Sequence, residues 1–146
     1  MKIAIANDHR GYDLKKYIIK HMKDIEFIDL GSDSKDFSDY SKIGFKLGEY
    51  VVKNKCLGIA ICGSGIGISI ACNKVKGVRC GKCNSEKDAV HGRECDFINV
   101  IALAASTPLE ENKNILLAYL NSRENTSDPA YAKRAKDLEE YENRNI

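Results

Sequence analysis

The stretch LGIAICGSGIGISIACN, residues 57 to 73, constrains the fold of this chain more than any other. Leu57, Ile59, Ala60 and Ile61 run into Cys62, glycines follow at positions 63, 65 and 67 around Ser64, and a second apolar stretch opens at Ile66. This pattern reads as a buried strand, a tight turn and a helix start. Glycines let the backbone come close to a ligand, and the unpaired N–H groups of a helix start, with its dipole, attract anions. Cys62 therefore stands where negative charge is favoured, suited to act as a nucleophile or a proton-transferring base, with the Ser64 hydroxyl in reach to polarise it. A competing reading makes Cys62 a small apolar filler at the end of a buried strand. Two other glycine-loop chemistries fit less well. Ile68 occupies the place of the third glycine in a dinucleotide fingerprint, and Gly67-Ile68-Ser69 lacks the lysine that closes a P-loop.

The rest of the chain alternates strand and helix patterns around that stretch. Lys2 to Asn7 reads as a first strand ending in Asp8-His9-Arg10-Gly11, and a helix pattern follows with Tyr12, Leu14, Tyr17, Ile18 and His21 near one face. Glu26 to Leu30 reads as a second strand. The polar stretch from Ser32 to Ser38 leads to Tyr40, expected in a loop where its phenol can face a ligand or pack on the surface, and then to a helix reaching about residue 54. Val78 to Cys83 and Asn99 to Leu103 are the expected fourth and fifth strands, with a short helix from about 85 to 94 between them. Pro108 opens a helix to about residue 122, and Pro129 opens a charged final helix, about 129–143. The fold expected is α/β, a doubly wound (Rossmann-like) five-stranded parallel sheet with helices on both faces, as one domain over residues 1–146. Such sheets bind ligands beyond the carboxyl ends of their strands, which singles out Asp8 and His9. Asp8 is equally suited to cap the first helix. The final helix has only a thin stripe, Ala132, Ala135, Leu138 and Tyr141, and is expected to pack on a partner subunit.

Composition narrows the function classes. Against 21 acidic residues the chain has 23 basic ones, a net charge of +2 without a basic block, so no nucleic-acid surface is expected. No apolar run reaches the ~18 residues of a membrane span, and the amino terminus runs straight into a strand, so a cytoplasmic protein without a membrane partner is expected. Six cysteines in that setting read as reduced thiols. Cys80, Cys83, His91 and Cys95 supply four zinc-type ligands within sixteen residues, but positions 80 and 83 of one strand face opposite sides of the sheet. The expectation is no metal and no cofactor.

Taken together, Asp8-His9-Arg10-Gly11-Tyr12, Asp39-Tyr40, Ile61-Cys62-Gly63-Ser64-Gly65-Ile66-Gly67-Ile68-Ser69, Asn73-Lys74, Gly77-Val78-Arg79 and Asn99-Val100 resemble, in order and spacing, the motifs of the ribose-5-phosphate isomerase B family. That family also includes the two galactose-6-phosphate isomerase subunits, and the resemblance is close over residues 1 to about 103. It implies a metal-independent aldose–ketose isomerase acting on a phosphorylated sugar through an enediolate. Cys62 would move the proton, Ser64 would assist it, and the amides from Gly63 through Gly65 and Ile66 to Gly67 would hold the oxyanion. Asp8 would help open the sugar ring, and His9 would contact phosphate. Arg10, Tyr40 and Asn73 join the expected substrate site. Subunits of the family form dimers with shared active sites, so a homodimer, a tetramer of dimers or a hetero-oligomer is expected.

The resemblance also exposes departures. The family's ring-opening histidine aligns with Cys95, followed by Asp96, and His91 lies one helical turn earlier as a replacement. Of three phosphate arginines one survives, Arg134, while Ser106 and Ala130 stand for the others. Two further readings follow from these losses: an isomerase of a different or unphosphorylated sugar, or a catalytically weakened sugar-phosphate-binding subunit of a hetero-oligomer.

Overall fold

The apolar runs of the strands alternate large and small residues, and this alternation gives the sheet two unlike faces. The computed structural model describes residues 1–144. Its strands are β1 (Lys2–Asn7), β2 (Glu26–Asp29), β3 (Leu57–Cys62), β4 (Cys80–Lys82) and β5 (Val100–Ala104). They pair in the order β2-β1-β3-β5-β4, each neighbouring pair parallel. The helices are α1 (Tyr12–His21), α2 (Tyr40–Asn54), α3 (Ile66–Asn73), α4 (Glu86–Cys95), α5 (Leu109–Leu120) and α6 (Pro129–Glu142), with a 3-10 turn at His9–Gly11.

Ile3, Ile5, Ile59, Ile61, Ile101 and Leu103 face one layer of helices, where Leu14, Ile18, Ile115, Leu116 and Tyr119 meet them. Ala4, Ala6, Ala60, Cys62 and Ala102 face the other, under Leu47, Val51, Ile68 and Cys72 of α2 and α3. Small residues on that side let the second pair of helices lie close to the strands and to each other. At their crossing, a Cβ on Gly44 would come within 2.6 Å of the Ala71 Cβ.

The connection through α1 covers one face and the connection through α2 covers the other, so the chain changes side between β1 and β3. The carboxyl ends of these neighbours then flank a cleft, the place where open α/β sheets bind ligands. Register brings Asn7 opposite Ile61, and the Asp8 N–H donates to the Ile61 carbonyl at 3.1 Å. Residues 8 and 62 are therefore neighbours by strand pairing alone.

Two boundaries differ from the sequence reading. Tyr40 is the first residue of α2 rather than a loop residue ahead of it. The fourth strand shrinks from the expected 78–83 to Cys80–Lys82, because Val78 N–H closes a turn on Val75 and the Arg79 N–H is taken by the Asn99 side chain.

Candidate active site

The turn after β3 keeps each of its three glycines for a different reason. Gly65 has a φ of 76°, in the left-handed region that a side chain disfavours, and a Cβ there would lie 3.1 Å from the Leu103 carbonyl carbon. A Cβ on Gly63 would meet the Arg10 side chain at 2.7 Å, and one on Gly67 would meet the Tyr40 ring at 2.7 Å. The turn is thus shaped so that Arg10 and Tyr40 can close over it. Together with Asp8, His9, Phe37, Ser38, Asp39, Cys62 and Ser64 they line a cavity of about 470 Å³.

Cys62 is only 4% exposed, yet it lines this cavity. Its sulfur accepts the Gly65 N–H at 3.2 Å, so the turn stabilises negative charge on Sγ directly. The Ser64 Oγ accepts the Ile66 N–H at 3.1 Å. The Gly65 amide supports the sulfur, and the Ser64 hydroxyl still has its own hydrogen to donate. With Gly65 and Ile66 so used, the N–H groups of Gly63, Ser64 and Gly67 are left without a protein acceptor among the described residues. Those three amides beside the sulfur are the site's free donors for an oxyanion.

Asp8 both caps and faces the cavity. Its Oδ1 accepts the amides of Arg10 at 3.0 Å and Gly11 at 3.2 Å, which leaves Oδ2 without a protein partner among the described residues. His9 is tied through Nδ1 to the backbone of Ser38. Phe37 and Ser38 were not singled out from the sequence, and Asp39 entered it only as the motif neighbour of Tyr40. Nothing in their composition marks them, and only their adjacency to Tyr40 could have pointed to them.

Five expected site residues lie away from this cavity within the chain. Asn73 brackets the backbone of Cys80, its Nδ2 donating to the carbonyl at 2.9 Å and its Oδ1 accepting the N–H at 2.7 Å, so it anchors β4 to α3. His91 turns to Asp96, Nε2 to Oδ2 3.5 Å, and both side chains are exposed. Cys95, at the end of α4, lies against the phenol of Tyr131 on α6; this contact pushes the phenol's pKa up, while Arg134 acts the other way. The helix α4 starts beyond the carboxyl end of β4 and ends ahead of β5, which puts Cys95 at the opposite end of the sheet from Cys62. Ser106 donates its amide to the Gly63 carbonyl at 3.1 Å, and Ala130 is exposed in the first turn of α6.

The four zinc-type ligands do not converge. Cys83 belongs to the isoleucine face of the sheet and Cys80 packs on the alanine face. Contact with Cys72 and burial raise the Cys80 thiol well above its usual range, the reverse of a thiolate ligand. No group of three His, Cys, Asp or Glu side chains among the described residues could hold a metal ion. A larger cavity, about 890 Å³, opens at the amino-terminal end of the sheet among Lys2, Lys55, Arg79 and Arg93. Its arginines are held by the carbonyls of Phe97 and Ile98 and by Glu124, and it lacks the amide cradle that Cys62 faces.

Comparison with known proteins matches residues 3–138 to the family described as Ribose/Galactose Isomerase. The chain belongs to this isomerase family. A probable ribose-5-phosphate isomerase B of Mycoplasma genitalium is 44% identical over 108 residues, 70% of this chain and 71% of the relative. The ribose-5-phosphate isomerase B of Escherichia coli is 36% identical, with 84% and 85% covered. Among solved structures of the family, the Clostridium thermocellum ribose-5-phosphate isomerase B superposes with a TM-score of 0.92 at 36% identity, covering 97% of each chain. The Mycoplasma genitalium enzyme with bound ribulose-5-phosphate also has a TM-score of 0.92, at 35% identity over 99% of this chain and 97% of that one.

Proposed function

We propose that the chain is an aldose–ketose isomerase that interconverts ribose 5-phosphate and ribulose 5-phosphate by proton transfer through an enediolate, without a metal or cofactor. The observation that carries this reading is the Cys62 sulfur at a cavity wall, holding the Gly65 N–H, with Asp8 beside it and three free amides around it. Asp8, through Oδ2, assists opening of the sugar ring. The Cys62 thiolate then takes the proton from C2 of the linear aldose, and the electron pair moves onto O1 as the enediolate forms. The amides of Gly63, Ser64 and Gly67 hold the oxygen on which negative charge gathers. Proton return from the Cys62 thiol to C1, with the O2 proton passed to O1, completes the ketose and restores the thiolate.

His9 and Arg10 are assigned to the phosphate, with the partner's Arg134 and Asp96 completing the site across a dimer. Exposed apolar side chains support such a partner: Ile66 and Ile70 on α3 are 53% and 56% exposed, Leu138 and Tyr141 on α6 are 53% and 64%. The assembly and the cytoplasmic setting belong to this proposal; no helix among the described residues is long and apolar enough to cross a membrane.

One observation favours a second reading. A thiol at Cys95, with Ser106 and Ala130 where the family has arginines, removes an imidazole and two bidentate phosphate partners. A different or unphosphorylated sugar, or a role as one subunit of a hetero-oligomer, follows from those losses. An assay of the purified protein over phosphorylated pentoses, phosphorylated hexoses and free sugars separates the readings. Turnover of ribose 5-phosphate that disappears in Cys62→Ala is expected. Turnover confined to another sugar, or none without a second chain, would replace the first reading by the second.

A further inference from the structure

Two consecutive residues of the loop before α2 are committed to one side chain. Ser38 Oγ accepts the backbone N–H of His9 at 2.9 Å. The Ser38 N–H and the Ser38 carbonyl each lie 3.3 Å from His9 Nδ1. The Phe37 ring packs on the imidazole with centroids 5.2 Å apart, although Phe37 itself is 80% exposed and takes no part in the core. Nε2 has no protein partner among the described residues. Around the same cavity stand Asp8 and Arg10 of the adjoining turn, Asp39 of the loop, Tyr40 of α2 and Cys62 of β3.

A neutral imidazole carries one N–H, and the partner of one nitrogen decides which nitrogen bears it. Here Nδ1 has both a donor and an acceptor in reach. An orphaned backbone N–H is rarer than an under-used carbonyl, which has two lone pairs. The Ser38 N–H has no other acceptor among the described residues, so the neutral ring satisfies it by keeping Nδ1 bare. The proton then sits on Nε2. When the ring is protonated, Nδ1–H turns to the Ser38 carbonyl, and Nε2 still carries its hydrogen.

We propose that Ser38 is a positioning residue whose backbone N–H selects the Nε2–H tautomer of His9, so that this imidazole donates into the cavity in both of its charge states. The identity of the acceptor, an anionic oxygen of a sugar phosphate, rests on the isomerase reading; the tautomer does not. Binding through His9 would then persist above the pH range in which a histidine changes charge.

The test combines nitrogen-15 NMR of the histidine ring with KM for ribose 5-phosphate at about pH 6 and about pH 8. The unliganded protein at the higher pH is expected to show His9 as Nε2–H, and Ser38→Ala, which keeps the backbone N–H, to show the same. Ser38→Pro removes that N–H. It is expected to shift the ring to Nδ1–H and to raise the ratio of KM at the higher pH to KM at the lower by about tenfold over the unaltered protein, the loss of one hydrogen bond to a charged group. An Nδ1–H ring in the unaltered protein, or a Ser38→Pro variant with unchanged tautomer and ratio, would overturn the proposal. If Ser38→Pro does not fold, the tautomer in the unaltered protein and in Ser38→Ala decides. An Nε2–H ring in a protein that does not turn over ribose 5-phosphate would uphold the tautomer and remove the isomerase reading.

Discussion

At the scale of single residues, the proposed chemistry depends on what surrounds one sulfur. Cys62 is nearly buried but opens on the cavity, and Gly65 supplies the N–H that steadies it. Cys62→Ala is expected to lower kcat by about 1,000-fold with unchanged circular dichroism, the scale of a lost general base. The glycines around it separate shape from stability. Gly67→Ala would push the Tyr40 ring, which is 43% exposed and free to swing, so its expected effect is a fall in kcat/KM with little change in the urea midpoint. Gly65→Ala meets backbone atoms at a positive φ and is expected to cost about 1–3 kcal/mol of stability in the same titration. The glycine run of this turn was legible in the sequence because strand, glycines and helix are contiguous. The division of labour within it was not, since residue order does not say that the Gly65 N–H goes to the Cys62 sulfur and the Ile66 N–H to the Ser64 Oγ.

At the scale of elements, a buried lysine fixes the loop that closes the cavity. The Lys15 side chain is 1% exposed, and its ammonium lies 3.1 Å from an Asp29 carboxylate oxygen and donates to the Ser32 carbonyl. This ties the end of β2 and the first residues of the 30–39 loop to α1. Lys15→Ala leaves a cavity and takes the donor from the Ser32 carbonyl, and is expected to destabilise the protein by about 2 kcal/mol in urea unfolding and to raise KM, because the loop carries Ser38 and Phe37. This pairing was not legible in the residues, since Lys15 and Asp29 are fourteen positions apart and neither names the other. The strands and helices themselves were readable from apolar periodicity, and the weakest element was misjudged for a physical reason. The edge strand β4 is held by Asn73 and Asn99 side chains at its start, and side-chain bonds of this kind leave no trace in hydropathy.

At the scale of the whole molecule, the unlike faces of the sheet have a consequence for pH. Burial, and then the carboxylate of Asp88, push the Cys83 thiol from its ordinary 9.0 up to about 12, and burial raises the Tyr119 phenol as well. Both groups are raised in the folded state, so their contribution is complete below the unfolded values and is lost as pH climbs toward the folded ones. Thermal unfolding is expected to hold steady to about pH 9 and to fall steeply above it, with a shallower fall in Cys83→Ala. Exposed Ile66, Ile70, Leu138 and Tyr141 bear on assembly. Sedimentation is expected to show at least a dimer, and Ile70→Glu with Leu138→Glu to shift it to monomer with loss of turnover. The place of Cys95 at the opposite end of the sheet from Cys62 follows from a helix that runs between two parallel strands, so it was legible in the order of elements.

Whether Cys62 carries a proton between adjacent carbons of a sugar is read out by isomerisation in deuterium oxide. Ribose 5-phosphate converted over many turnovers should give ribulose 5-phosphate bearing deuterium at C1, and Cys62→Ala should give labelled product only at about a thousandth of that rate. Ketose formed without deuterium, or labelled ketose formed at the full rate by Cys62→Ala, would contradict proton transfer by Cys62.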